Sequence, residues 1–295
     1  MIIVSVGCGL GNQMFQYAYI AKLKKQYPEQ EIKIDISHSF PKAHNGYELE
    51  RVFNMTLKKC TDAEYEAMDV PEFRQKTKIG RNITRVWVRM KREFRGGPIF
   101  IQQRDHTCYY SELLHLRNNK SYYIKGIFAN DKYFKDIKEQ VIKDFTFPAI
   151  EGEENLKWAE KIKDSESCSI HIRRGDYISE GVVLLQEDYY FEAMRTVEKK
   201  SGKKVYFFAF TDDIHYAKQI FGRKRDVSII EGNIGEKSYI DMQLMSLCKH
   251  NIIANSSFSF WGAYLNKNPN KIVVSSRQPF TGCRYAFTTD EWIKL

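Results

Sequence analysis

The run His171-Ile172-Arg173-Arg174-Gly175-Asp176-Tyr177 sets two adjacent guanidiniums and a carboxylate within a few residues of a histidine. Ser167 to Ile172 alternates small or polar with apolar side chains, so the run reads as the tip of a buried strand. Tips of such strands line the crevice of an open α/β sheet, where ligands bind. A planar, permanently charged fork suits a phosphate pair better than an ammonium does. Gly175 permits a tight turn, and Asp176 either orients a neighbouring guanidinium or accepts a proton. A purely structural Arg–Asp pair is the simpler alternative. Successive residues leave a strand on opposite faces, so Arg173 and Arg174 are not expected to do the same job. Arg173 is the leading diphosphate ligand, and Arg174 shares that role or fixes the loop.

Three further segments carry polar groups at strand ends. Ile2 to Val6 is a short apolar strand followed by Gly7-Cys8-Gly9-Leu10-Gly11-Asn12-Gln13 and a helix to about Lys25. A glycine-rich turn of this kind lets backbone amides at Gly11 and beyond approach a diphosphate at a helix N-terminus. A dinucleotide fold is the rival reading, and Asp35 closes the next strand about where a ribose-binding acid would sit. The third glycine of that fingerprint, however, falls on Asn12, whose side chain would block close helix packing. Asn12 and Gln13 instead offer amide donors at the mouth of the turn. The strand Ile252-Ile253-Ala254 leads into Asn255-Ser256-Ser257-Phe258-Ser259, where hydroxyls and free amides converge beyond what a helix cap needs. Val205 to Phe210 ends in Thr211-Asp212-Asp213, a pair of carboxylates able to cap a helix or to accept N–H groups from a base such as guanine.

In this order, these segments resemble the bacterial α-1,2-fucosyltransferases of glycosyltransferase family 11. The resemblance runs over nearly the whole chain, through Gly9 to Ala18, His44 to Leu49, Tyr122 to Phe134, His171 to Tyr177 and Met245 to Leu265. It departs from the pattern at Cys8, where a glycine is common, and at Phe260, where tryptophan is expected. The His-x-Arg-Arg-x-Asp element is shared more widely with α-1,6-fucosyltransferases and protein O-fucosyltransferases, so it implies a GDP-fucose donor more firmly than a linkage. The resemblance implies an α/β fold of two Rossmann-like doubly wound domains facing a cleft, GT-B-like. It further implies inverting transfer of L-fucose to the 2-hydroxyl of a terminal β-galactoside on an acceptor glycan. His171 and the Asp212/Asp213 pair match the positions that hold guanosine in related enzymes. The donor-binding set is then His171, Arg173, Arg174, Asp212, Asp213, Ser256, Ser257, Gly11 and Gln13, with Arg173, Asp176 and Asn12 as catalytic candidates. Asp176 is the nearest candidate for a general base, with Glu180 four residues on. The alternatives are a fucosyltransferase of another linkage or a noncatalytic GDP-sugar binding module. A dinucleotide-dependent oxidoreductase leaves the double arginine and the serine-rich helix start unexplained.

Composition agrees with a globular enzyme: 295 residues, 28% charged and 43% hydrophobic, with no apolar run near the ~20 residues that span a bilayer. The chain starts on a strand, so neither leader nor anchor is expected, and a cytoplasmic location follows. Alternating strand and helix patterns imply parallel sheets. The linker Phe147-Pro148-Ala149-Ile150-Glu151-Gly152 divides an N-terminal domain (1–150, the acceptor side) from a C-terminal domain (151–295, the GDP-fucose side). Six cysteines lack any C-x-x-C spacing, which argues against a zinc site or a disulfide framework. The net charge of +9 is uneven: residues 74–95 hold nine lysines and arginines against Glu93 alone. Ile79, Ile83, Val86, Met90 and Phe94 make a helical stripe there. Such a basic amphipathic helix either packs on the core with its charges solvated or touches anionic lipid at the inner membrane face. A nucleic-acid partner is not expected.

No cofactor is implied, and no Asp-x-Asp motif for a metal-held diphosphate occurs in the chain. Sugar transfer should therefore survive exhaustive EDTA treatment. Loss of GDP release on chelation, restored by Mn²⁺ or Mg²⁺, would show that a metal carries the leaving-group charge.

Overall fold

A computed structural model describes residues 1–37, 45–70 and 97–295. The basic stretch 74–95 lies outside the described residues. Two all-parallel sheets organise the chain. The first has the order β2-β1-β4-β3, from β1 (Ile2–Ser5), β2 (Ile32–Asp35), β3 (Ile99–Gln102) and β4 (Tyr122–Lys125). The second runs β10-β9-β8-β5-β6-β7, from β5 (Ser167–Ile172), β6 (Tyr206–Thr211), β7 (Val227–Ile230), β8 (His250–Ile252), β9 (Val273–Ser275) and β10 (Ile293–Lys294). The sequence patterns locate all of these except β3 and β10. Both of those are edge strands, β10 of only two residues.

Helices α1 (Leu10–Gln26), α2 (Leu49–Phe53), α3 (Asp62–Ala67) and α4 (Lys138–Asp144) belong to the first half. The second half holds α5 (Glu153–Lys163), α6 (Gly175–Ser179), α7 (Glu187–Ser201), α8 (Ile214–Phe221), α9 (Tyr239–Leu247) and α10 (Ser257–Tyr264). The linker expected near residue 150 falls between α4 and α5. Among the described residues no helix is long and apolar enough to cross a membrane. All six cysteines are free thiols.

Strand order decides where ligands can go. In the second sheet the chain leaves β5 towards β6 and β7, then returns to the other side of β5 as β8. In the first it leaves β1 towards β2 and later returns beside β1 as β4. Each sheet therefore has one switch point, between β5 and β8 and between β1 and β4, and crevices open at the C-terminal ends of those strands. Arg173 follows β5, Ser256 and Ser257 follow β8, Cys8 follows β1, and Ile127 follows β4. The polar interior of β5 is satisfied in place: Ser169 Oγ accepts from Asn251 Nδ2 at 2.8 Å, and Ser167 Oγ from the Lys249 amide at 3.1 Å.

What brings the two crevices together is the contact of α1 with α10. A Cβ on Gly11 would lie 2.6 Å from the Ser257 carbonyl carbon and 2.7 Å from the Phe258 nitrogen. One turn on, Trp261 Nε1 donates to the Gly11 carbonyl at 2.9 Å. Phe15 packs 4.7 Å from Phe260 and 4.9 Å from Trp261. Phe260, where the resemblance would place tryptophan, is buried and meets Trp292 at 4.9 Å. One continuous apolar cluster thus runs from α1 through α10 into both halves.

Gly11→Ala should force this helix pair apart, at a cost of about 1–3 kcal/mol for overpacking a closed contact. Thermal or urea unfolding would measure it. A change below about 0.5 kcal/mol would show that the pair can separate freely.

Candidate active site

A cavity of about 690 Å³ opens between the two switch points, within the size range of small-molecule sites. Arg173, His171, Asp176, Asp212, Ser256, Ser257 and Asn12 all line it. Arg173 is held in a fork of carboxylates. Its Nη1 pairs with Asp212 Oδ2 at 2.9 Å and its Nη2 with Asp176 Oδ2 at 2.7 Å. Asp212 also accepts from the Arg174 amide at 2.8 Å. Gly175 leaves room for that carboxylate, since a Cβ there would sit 3.0 Å from Asp212 Oδ2. The neighbouring arginine is used differently. Arg174 stacks 3.8 Å from the centre of the Tyr216 ring, pairs through Nε with Asp213 Oδ2 at 3.0 Å, and does not line the cavity.

Two expected ligands have other work. Asp213 caps α8 by accepting from the Tyr216 amide at 2.9 Å and pairs with Arg174. Asp212 is committed to Arg173 and the Arg174 amide. Each carboxylate of the pair is thus already engaged by an arginine and a backbone amide, and of the two only Asp212 lines the cavity. Gln13 is buried and fully engaged: Nε2 donates to the Cys8 and Gly46 carbonyls, both at 2.7 Å, and Oε1 accepts from the Glu48 amide at 2.9 Å. Gly11 is consumed by the α10 contact. These two shape the turn and do not present themselves to the cavity. Cys8 explains why a glycine would suit its position: its φ is 65°, a left-handed conformation that costs a non-glycine residue roughly 1–2 kcal/mol. Asp35 is buried and accepts from Tyr123 and Ser37, well away from this cavity.

Two groups on the cavity wall can receive an anion. Ser256 caps α10 by accepting from the Phe258 amide at 3.3 Å, and that helix's N-terminus faces the same cavity as Arg173. Helix-end amides and an arginine fork together stabilise negative charge that grows on a phosphate oxygen. Burial, reinforced by the Arg173 charge, pushes the His171 imidazole down to about 3, so it is neutral. Its Nδ1 is buried without a hydrogen-bond partner among the described residues, as is Asp176 Oδ1. Both are polar atoms on the cavity wall that await a partner.

Sequence reasoning missed Asp241, Asn233 and Glu48, which also line the cavity. Asp241 sits in α9 between Ile240 and Met242, and a lone acid in an apolar helix was the available signal. Burial raises its carboxyl to about 7, against the opposing donation from Asn233 Nδ2 at 2.8 Å. Glu48 is buried beneath Arg51, which donates at 2.7 Å, and its carboxyl is raised by burial. Among the described residues no three His, Cys, Asp or Glu side chains converge to hold a metal.

The whole chain, residues 1–295, matches the family model of glycosyl transferase family 11. The chain belongs to that family. It is 31% identical to the O-antigen biosynthesis glycosyltransferase WbnK of Escherichia coli, over 97% of this chain and 98% of the relative. It is equally 31% identical to an Escherichia coli α-1,2-colitosyltransferase, over 93% and 91%. Similarity to the mouse galactoside 2-α-L-fucosyltransferase Sec1 is 22%, over 55% of this chain and 48% of that one. Among solved structures it resembles the α-1,6-fucosyltransferase NodZ of Bradyrhizobium, soaked with GDP-fucose, at TM-score 0.51, 13% identity and 90% and 92% coverage. It also resembles Arabidopsis thaliana FUT1 in complex with GDP, at TM-score 0.55, 10% identity and 96% and 71% coverage. The architecture is GT-B-like, and the protein is a family 11 glycosyltransferase.

Two substitutions test the arginine fork. Arg173→Lys keeps the charge but not the two-pronged geometry, and should lower turnover about 30- to 1000-fold, or about 2–4 kcal/mol. Retention of more than about half the activity would remove Arg173 from the leaving group. Asp176→Asn should weaken GDP binding together with turnover, because Arg173 loses one of its two anchors. Turnover that falls at unchanged GDP affinity would instead mark Asp176 as the base.

Proposed function

We propose that this enzyme transfers L-fucose from GDP-fucose to the 2-hydroxyl of a terminal β-galactoside, inverting the anomeric centre to give an α-1,2 linkage. The observation that carries this reading is Arg173, held by Asp176 and Asp212 opposite the N-terminus of α10. As the sugar leaves, its ring gains oxocarbenium character and the β-phosphate gains negative charge. Arg173 and the α10 amides receive that charge in place, without reorganising. The acceptor hydroxyl attacks from the opposite face and its proton passes to a carboxylate. Asp176 holds Arg173 through one of its oxygens, and we assign the base to Glu180, on the cavity wall just after α6. His171 and Asp241 suit the nucleoside. The neutral His171 Nδ1 lacks a partner, and the Asp241 carboxylate can accept from the N1–H and exocyclic amine of guanine.

A second reading has a specific basis: the α-1,2-colitosyltransferase is more similar to this chain than the mouse galactoside fucosyltransferase is. Colitose is the 3-deoxy counterpart of L-fucose, and both donors carry the same GDP. Incubation with GDP-fucose or GDP-colitose and a panel of β-galactosides, with GDP release measured and the product linkage read by NMR, decides between them. Turnover of neither donor would overturn both readings.

Asp241 makes a pH prediction. A carboxyl raised to about 7 must ionise to accept two N–H groups, so GDP affinity should rise with pH through about 7 and fall up to tenfold per unit below it. Asp241→Asn should weaken GDP binding, flatten that profile and narrow the preference for GDP over ADP. Calorimetry showing the wild-type profile in the variant would place guanine elsewhere.

A further inference from the structure

The cavity has chemically different ends. Asn233, Ser238 and Asp241 make one end polar. The other is walled by Phe280, Phe287 and Tyr177, with His106 and Ile127 facing them from the first sheet and Glu180 at the edge. Phe280 meets Tyr177 at 5.6 Å and Phe287 at 5.7 Å, both edge-on, so the rings form a braced wall and not a flexible flap. The loop that carries them is tied to both halves of the molecule. The Asp105 carboxylate accepts from the Arg284 amide at 2.7 Å and Thr107 Oγ1 from the Tyr285 amide at 3.3 Å. Thr281 Oγ1 accepts from the Val183 amide at 3.0 Å. The two residues flanking His106 thus grip the loop whose Phe280 faces it.

We infer that this aromatic end is the acceptor subsite: a pyranose lies with its apolar C–H face on Phe280, its hydroxyls towards His106 and Glu180, and the glycan leaves across Tyr285. The inference rests on the glycosyl transfer proposed above and assigns the acceptor to particular residues. A sugar ring has one face of C–H groups and an edge of hydroxyls, and a wall of aromatic rings beside a few polar groups matches both. Glu180, three residues after Tyr177, lines the same cavity. His106 is neutral-leaning, its imidazole lowered by burial against the opposing Asp105 charge, so it can donate to or accept from a hydroxyl. A second, independent observation marks the exit. Large apolar side chains exposed on the bordering segments are Ile178, Val183 and Tyr285, and Tyr285 is 57% exposed. Tyr285 is an exposed ring on the same pinned loop as Phe280, where a longer glycan can rest. Because the loop is pinned at both sides, little ordering cost attends binding.

The test uses the whole enzyme with GDP bound. Saturation-transfer NMR on methyl β-galactoside should show the sugar's C–H face receiving magnetisation from the wild type. Phe280→Ala should lose that signal and raise the acceptor KM about tenfold or more, while GDP affinity stays unchanged. Unchanged GDP affinity shows that the variant is folded, and Phe280→Tyr, which keeps the ring face, should restore both readouts. Tyr285→Ala should raise KM for a trisaccharide acceptor but not for methyl β-galactoside. A galactoside signal that persists in Phe280→Ala, or that is absent from the wild type, overturns the subsite. Failure of the fucosyl-transfer reading looks different: no turnover of GDP-fucose with the galactoside signal intact.

Discussion

Everything functional in this molecule depends on the approach of two helix N-termini. Gly11 lies against the backbone at Ser257 and Phe258 with no room for a methyl group, and the Trp261 indole closes the contact by donating to the Gly11 carbonyl. Since α1 follows β1 and α10 follows β8, this contact draws the switch points of two separate sheets to one cavity. In the proposed transfer, this joint sets the distance between the groups that meet donor and acceptor. The apolar cluster around Phe15, Phe260 and Trp261 supplies the burial that holds the joint closed.

Within the cavity, charge is arranged in a chain of dependence. Arg173 is useful because Asp176 and Asp212 aim it, and Asp212 stays in place partly because it accepts from the Arg174 amide. Arg174 in turn is fixed by Asp213 and Tyr216. The adjacent arginines and adjacent aspartates therefore form an interlocked set in which only Arg173 and Asp212 line the cavity. Paired carboxylates around one guanidinium also compensate its charge before a diphosphate arrives, which limits the cost of burying it. The buried, neutral His171 beside Arg173 adds a polar contact without adding charge.

The polar turn after β1 is organised the same way. Gln13 satisfies Cys8, Gly46 and Glu48, and Gln16 bridges the Gly7 amide and the Gly126 carbonyl, at 3.0 and 2.9 Å. These amides hold the loops after β1 and β4 in fixed relation, so the first sheet presents a rigid ceiling to the cavity. A left-handed Cys8 is tolerated because its carbonyl is pinned by Gln13.

The strands and the double arginine were legible in the sequence because they rest on local rules. Period-two or continuous apolar runs report strands, a glycine-rich turn reports a strand-to-helix transition, and His171 to Tyr177 announces anion chemistry by residue type alone. The edge strand β10 was not legible because two residues make no pattern, and β3, though Ile99-Phe100-Ile101 is apolar, was passed over. Roles that depend on partners distant in the chain were decided only by the tertiary structure. Local sequence does not fix the roles of Asp212 and Asp241: the fold brings Arg173 to the first and buries the second beside Asn233 with its carboxyl raised to about 7. Likewise Gly11 and Gln13 carry the residue types of a phosphate loop but are spent on packing and on backbone carbonyls. Residue type sets which chemistry is possible, whereas hydrogen-bond competition and burial between segments far apart in sequence determine which side chains remain free to perform it.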